Sequence, residues 1–233
     1  MLDELVKEIN SKADKKQAEN LQRFFKTGPG EYGEGDIFLG IKVPVQREIV
    51  KKYTGLSLPK IQELLKSKIH EHRLIALLIL VEKFKKGNET EKGDIFNLYL
   101  KNTKYINNWD LVDLSSHKIV GEFLADKKKD ILYKLAASHN LWEKRIAMIS
   151  TFAYIKNEEF IDALRIAEML LEDKHDLINK AVGWVLREIG KKNQKVLEDF
   201  LKKHYKDISR TTLRYSIERF DEDLRKKYLS GKI

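Results

Sequence analysis

Beyond Pro59 the chain has no proline, and beyond Gly40 only seven scattered glycines, so its last three quarters contain almost nothing that stops a helix. The same stretch is rich in Leu, Ile, Lys and Glu, and no segment sustains the period-2 alternation of a half-buried strand. The pattern therefore predicts an all-α protein. Helices are expected at about 2–12, 14–26, 43–54, 58–67, 70–86, 90–102, 106–125, 128–138, 141–155, 158–171, 174–189, 193–205, 210–219 and 221–229. Ser57 is an expected cap for the helix opened by Leu58-Pro59, Asn140 and Glu143 form a capping-box-like pair, and Gly190 is an expected C-terminal stop. Segments 70–102, 106–138, 141–171 and 174–205 each read as one helical hairpin. That spacing predicts stacked antiparallel hairpins of the HEAT or armadillo kind, an α-solenoid forming a single domain over 1–233 with a concave basic face.

One long stretch departs from this pattern. From Lys26 to Pro44 it holds five glycines and two prolines, which forbid regular helix. Gly28, Gly30, Gly33, Gly35 and Gly40 match neither phosphate-binding glycine pattern, and Glu31, Glu34 and Asp36 would repel phosphate. An ordered loop with Phe38, Leu39 and Ile41 in the core is expected, and a role at a ligand edge stays open.

Charge narrows the partners. The 45 Lys and Arg against 36 Asp and Glu leave a formal net charge of +9, which favours a polyanion, nucleic acid before a membrane surface. The basic residues are scattered, not gathered on one amphipathic helix, so a membrane partner is not expected. The most apolar run, Leu74 to Val81, is too short to span a bilayer, and Met1 to Leu5 opens acidic, unlike a signal peptide. A cytoplasmic monomer is expected, nucleoid-associated when on DNA. With no cysteine there is neither a thiolate zinc site nor a thiol nucleophile. His70-Glu71-His72 points its two imidazoles apart around a helix, so they cannot share one ion, and the remaining histidines are isolated; no metal site is expected.

The stretch with most chemical content is Asn107-Asn108-Trp109-Asp110-Leu111-Val112-Asp113. On a helix Trp109 and Asp113 share a face, placing a carboxylate beside an indole. Periodicity alone favours the plainer reading, a half-buried Trp with Asp110 near a helix start and Asp113 in a salt bridge. Trp109, Trp142 and Trp184 fall in three successive hairpins, with Asp113, Arg145, and Lys180 and Arg187 respectively nearby. If equivalent helices line one face, indoles, cations and one carboxylate converge. Cations hold phosphates, and an indole face with a carboxylate stabilises a developing positive charge. Cleavage of a glycosidic bond in deoxyribose develops such a charge. Arg210 and Arg214 open a late helix and are further phosphate candidates.

Phe24-Phe25-Lys26, Phe38 to Pro44, Asn108 to Asp113, Leu141 to Arg145 and Lys180 to Glu188, taken in order, resemble the DNA alkylation repair family of HEAT-like-repeat DNA glycosylases. The resemblance implies a monofunctional hydrolase of base excision repair that removes N3- and N7-alkylpurines, such as 3-methyladenine and 7-methylguanine, from double-stranded DNA without cofactor or metal. It implies that Asp113 is the catalytic carboxylate and that Trp109 and Trp184 are paired indoles against the lesion deoxyribose. Arg145 matches the arginine near the backbone at the lesion, and Phe24 and Lys26 join the DNA-binding set. Two departures stand out. The loop from Thr27 to Asp36 is longer than in the family's type member, and Asp176-Leu177 replaces two aromatics. Some relatives keep the fold and lose excision, so the alternative is a non-catalytic scaffold that binds DNA or protein.

Overall fold

The computed structural model describes residues 1–233, and its regular structure is helical, with one isolated parallel bridge between Ile37 and Ile69. Two compact units divide the chain, Met1–Ser115 and Ser116–Ile233. The first holds α1 (Leu2–Asn10), α2 (Lys15–Phe24), α3 (Val43–Lys52), α4 (Leu58–Leu65), α5 (His70–Lys86), α6 (Glu89–Lys101) and α7 (Trp109–Asp113). Every residue of α5 from His70 to Val81 is buried. A helix that is buried on all sides belongs at the centre, and α3, α4, α6 and α7 all pack on α5. No helix is long and apolar enough to cross a membrane.

Between α2 and α3 the chain is irregular, as its glycines and prolines require. Gly40 has φ +87°, and a Cβ there would run into the Asp14 carbonyl oxygen and approach the Ala18 nitrogen to 2.6 Å. Only glycine lets the segment pass so close to the start of α2. The passage is held by Glu71, fully buried in the first turn of α5, whose carboxylate accepts the backbone N–H groups of Leu39, Gly40 and Ile41 at 2.9, 2.8 and 3.1 Å. Glu31 and Glu34 accept N–H bonds from Gly28 and Gly30, both at 2.9 Å, so these acids fold the loop on itself. Phe38 and Ile41 enter the core as expected, while Leu39 is half-buried.

The second unit holds α8 (Asp130–Ala136), α9 (Leu141–Ser150), α10 (Phe152–Ile155), α11 (Ile161–Met169), α12 (Asp176–Lys192), α13 (Gln194–Lys203), α14 (Arg210–Ser216) and α15 (Glu222–Ser230). Here α12 packs against α9, α13 and α14. A Cβ on Gly183 would lie 2.5 Å from the Tyr215 Cβ and 2.8 Å from the Thr212 carbonyl oxygen, so this glycine sets how closely α14 crosses α12. Gly190 does the same toward Leu197 of α13.

Gly190 therefore does not end its helix, as the sequence suggested; α12 runs on to Lys192, because the residue serves a close crossing and not a left-handed cap. The helix expected over 106–125 is interrupted. Asn108 is extended, at φ −150° and ψ 156°, so α7 starts at Trp109, and a separate π-helical turn covers His117–Gly121. The helix expected over 141–155 divides at Thr151, whose hydroxyl donates to the Met148 carbonyl at 2.7 Å. Ser57 gives no side-chain cap to α4, although Pro59 does open it. Asn140 caps α9 through the N–H groups of Trp142 and Glu143, while the Glu143 carboxylate accepts the Ser138 hydroxyl at 2.6 Å. A full capping box occurs instead at Asn88 and Glu91, at the start of α6.

Gly40→Ala combines a left-handed backbone with a clash against main-chain atoms of α2, neither of which a rotamer change relieves. The expected loss of stability is about 2–4 kcal/mol in urea unfolding; an unchanged unfolding midpoint would contradict this account of the loop.

Candidate functional site

The short α7 carries Trp109 and Asp113 one turn apart, both half-buried. The Trp109 indole stacks on Phe25, with centroids 5.1 Å apart and planes 17° apart, and the Phe24 ring meets it edge-on at 6.0 Å. Phe25 stacks in turn on Phe38 at 4.9 Å, and Phe38 on the His70 imidazole at 4.3 Å. The end of α2 and the irregular segment thus form the wall that fixes the indole. Asp113 lies near enough to Tyr99 for its charge to be felt there. Burial pushes the Tyr99 hydroxyl well above its ordinary pKa, its hydrogen bond with Ser115, at 2.9 Å, works against that, and the negative charge of Asp113 adds to the rise.

Beneath α7 sits a buried ionic network that the spacing of the sequence does not reveal. The ring nitrogens of His70 lie between two carboxylates, Nδ1 3.0 Å from Asp36 Oδ2 and Nε2 2.8 Å from Asp110 Oδ2. Asp36 also accepts from the Arg73 guanidinium at 2.6 Å and from the Asn108 amide at 3.2 Å. All five side chains are buried. Burial drives the Asp36 pKa up, but His70, Arg73 and Asn108 more than reverse it and hold this carboxyl below its ordinary value. Burial likewise disfavours charge on His70, yet Asp110 and Asp36 overcome it and lift the imidazole to about 9. Spacing rules treat His70-Glu71-His72 only as a failed metal site. The usable signal is the polar run His70-Glu71-His72-Arg73 leading directly into the apolar run Leu74 to Val81 of one helix, where each polar member needs a buried partner.

In the second unit Trp184 is half-buried on α12 next to Gly183, its ring 4.7 Å from Phe152, which meets His117 edge-on at 6.2 Å. Arg145 is 5% exposed and donates to the Leu177 carbonyl at 2.6 Å, tying α9 to the first turn of α12. Trp142, also buried, belongs to the core. Lys180 pairs with Asp176 at 2.7 Å, so the acid that departs from the family pattern meets a cation of the expected DNA-binding set. Arg187 pairs with Glu218 and lies 3.5 Å from Glu188. Arg210 donates to the Leu229 carbonyl at 2.8 Å, while the side chains of Arg214, Lys26 and Phe24 are exposed. The structure thus places Phe24, Lys26, Trp109 and Asp113 in the first unit, with Phe24 against Trp109. Arg145, Lys180, Trp184, Arg187, Arg210 and Arg214 lie in the second, on α9, α12 and the α14 that packs against α12.

A sequence model of a family described as DNA alkylation repair enzyme matches residues 5–220. Among solved structures, one described as a predicted DNA alkylation repair enzyme from Enterococcus faecalis superposes with a TM-score of 0.69 over 91% of this chain and 98% of that one, at 16% sequence identity. That likeness shows a shared helical fold. No curated protein matches the chain.

The His70 network ties stability to pH with a definite sign. The folded-state value of about 9 exceeds the ordinary 6.5, so its contribution is complete below pH 6.5 and is lost as pH rises toward 9. Urea unfolding followed across that window is expected to show stability falling by up to about 1.4 kcal/mol per pH unit, the value for one proton. His70→Gln removes the proton and with it the slope; a slope that survives the substitution would assign it elsewhere.

Proposed function

Because the chain belongs to the DNA alkylation repair enzyme family, matched over residues 5–220, we propose that it is a monofunctional DNA glycosylase. Its substrates are N3- and N7-alkylated purines in duplex DNA, such as 3-methyladenine and 7-methylguanine, and it acts as a monomer. The observation that carries the reading is the pairing on α7 of Asp113 with Trp109, an indole fixed by an aromatic stack.

An alkylated purine of this class already bears a positive charge. When its C1′–N9 bond breaks, the bonding electrons pass to the base, which leaves neutral, so the reaction asks for no general acid and no metal. The charge moves to the sugar as an oxocarbenium-like state. The Asp113 carboxylate favours that state, and water adds at C1′ and gives up a proton. At about 4 Å and an effective dielectric of about 20, one carboxylate supplies roughly 4 kcal/mol, on the order of a thousandfold in rate. The indole of Trp109 offers a face to the deoxyribose and to its developing charge.

Backbone recognition is assigned to Lys26, Arg214 and Arg210, with Lys180 and Arg187 exchanging Asp176 and Glu218 for phosphate, and Phe24 flanking Trp109 as an exposed apolar contact. Arg145, buried and bonded to Leu177, serves by fixing the first turn of α12 and by its charge. The net charge of +9 supports a polyanionic partner.

The test is single-turnover release of 7-methylguanine and 3-methyladenine from alkylated duplex DNA, comparing the unchanged protein with Asp113→Asn at matched salt. The substitution is expected to slow release by about a thousandfold while DNA binding persists. If the unchanged protein binds DNA and releases neither base, the glycosylase reading fails and the scaffold alternative replaces it.

A further inference from the structure

We propose that His70 is a positioning residue: as a cation donating from both ring nitrogens, to Asp36 and to Asp110, it fixes the turn that carries Trp109 and Asp113, and base release requires it to stay charged. This inference rests on the glycosylase reading above.

With both neighbouring carboxylates ionised, the geometry disfavours a neutral His70. Asp36 and Asp110 present carboxylate oxygens 3.0 and 2.8 Å from its two nitrogens, and an ionised carboxylate only accepts. Both nitrogens must therefore donate. Together with Arg73 the site then holds two positive and two negative charges, the balance a buried ionic cluster needs. Removing one proton would set a lone pair against a carboxylate. Asp36 would keep Arg73 and Asn108, whereas Asp110 would keep only the N–H of Leu111 beside it, at 2.9 Å. The strain accordingly falls on Asp110, the second residue of α7.

Two further contacts lead to the same helix. Asn108 is the N-cap of α7 and is itself bonded to Asp36. The His70 ring lies against Phe38 and, at 5.2 Å, against Phe25, the ring that carries Trp109. Around His70 the charged groups are Asp36 from the irregular segment, Asp110 from α7 and Arg73 from the next turn of α5. The end of α2 contributes only Phe25 there, and Glu71 is occupied by the backbone of Leu39 to Ile41.

The substitution Asp110→Asn distinguishes this role from simple packing. The amide it introduces would donate to a neutral Nε2 while Nδ1 still donates to Asp36, so the network would then accept an uncharged imidazole. The experiment follows the full-length protein from pH 7 to 10 by two readouts. One is single-turnover release of 7-methylguanine at saturating protein, corrected for loss from DNA alone. The other is the Trp109 indole N–H resonance, assigned by its disappearance in Trp109→Phe, recorded beside the histidine nitrogen signals.

In the unchanged protein release is expected to fall at least about tenfold through a midpoint near 9, as is reasonable for a small misplacement of reacting groups. The Trp109 resonance should shift with the same midpoint as His70 loses its proton. In Asp110→Asn each readout, relative to its own value at pH 7, should lose that step. His70→Gln should cut release at pH 7 about tenfold or more with DNA affinity nearly unchanged. Release that stays flat to pH 10, or a step that persists unchanged in Asp110→Asn, overturns the proposal. Absence of release at every pH overturns the glycosylase reading instead. The Trp109 resonance then decides by itself whether the charge on His70 governs α7, and a resonance that stays still refutes it.

Discussion

Buried carboxylates that must find donors hold the first unit together. Glu71 and Asp36 are buried, and each is satisfied by groups from distant parts of the chain. Glu71 draws the backbone of Leu39 to Ile41 onto the head of α5, and Asp36 draws His70, Arg73 and Asn108 together. Without those demands the glycine-rich segment would have little reason to lie against α5, Phe38 would not reach the His70 ring, and the stack under Trp109 would lose its base. The candidate catalytic helix is only five residues long, too short to be stable by its own hydrogen bonds, and it persists because its surroundings specify it.

The second unit solves its positioning problem with shape in place of charge. Gly183 admits the main chain of α14 to α12 at the residue before Trp184, and Gly190 admits Leu197 of α13 further along. One candidate indole is thus placed by ions and ring stacking, and the other by absent side chains. Arg145 adds one polar tie, spending its guanidinium on the Leu177 carbonyl.

Much of this was legible in the sequence because it depends on local rules. The scarcity of proline and glycine after the first quarter specified helix, and the glycine run between Lys26 and Pro44 specified its one long interruption. Trp109 and Asp113 were recognisable because a helix places residues four apart on one side, which needs no tertiary knowledge. Gly190 misleads because a glycine late in a helix carries the same local signal whether it caps the end or admits a neighbour, and only Leu197 distinguishes the two. The break before Trp109 was invisible because Asn108 suits a helix interior poorly but not impossibly, and its bond to Asp36 decides the matter. His70 escaped for a related reason. Its two partners lie 34 and 40 residues away in opposite directions, beyond the reach of any spacing rule.

Those separations also govern the order of assembly. Asp36 meets His70 across 34 residues, His70 meets Asp110 across 40, and Asn108 reaches Asp36 across 72. Each closure costs chain entropy before it is rewarded, so the longest of the three, which ties the N-cap of α7 to Asp36, is the most costly to close. During synthesis, a chain that has not yet released Asp110 leaves His70 with only one of its two carboxylate partners, and α7 without its tie to α5. The indole and carboxylate of α7 are therefore ordered only when the first unit is essentially complete.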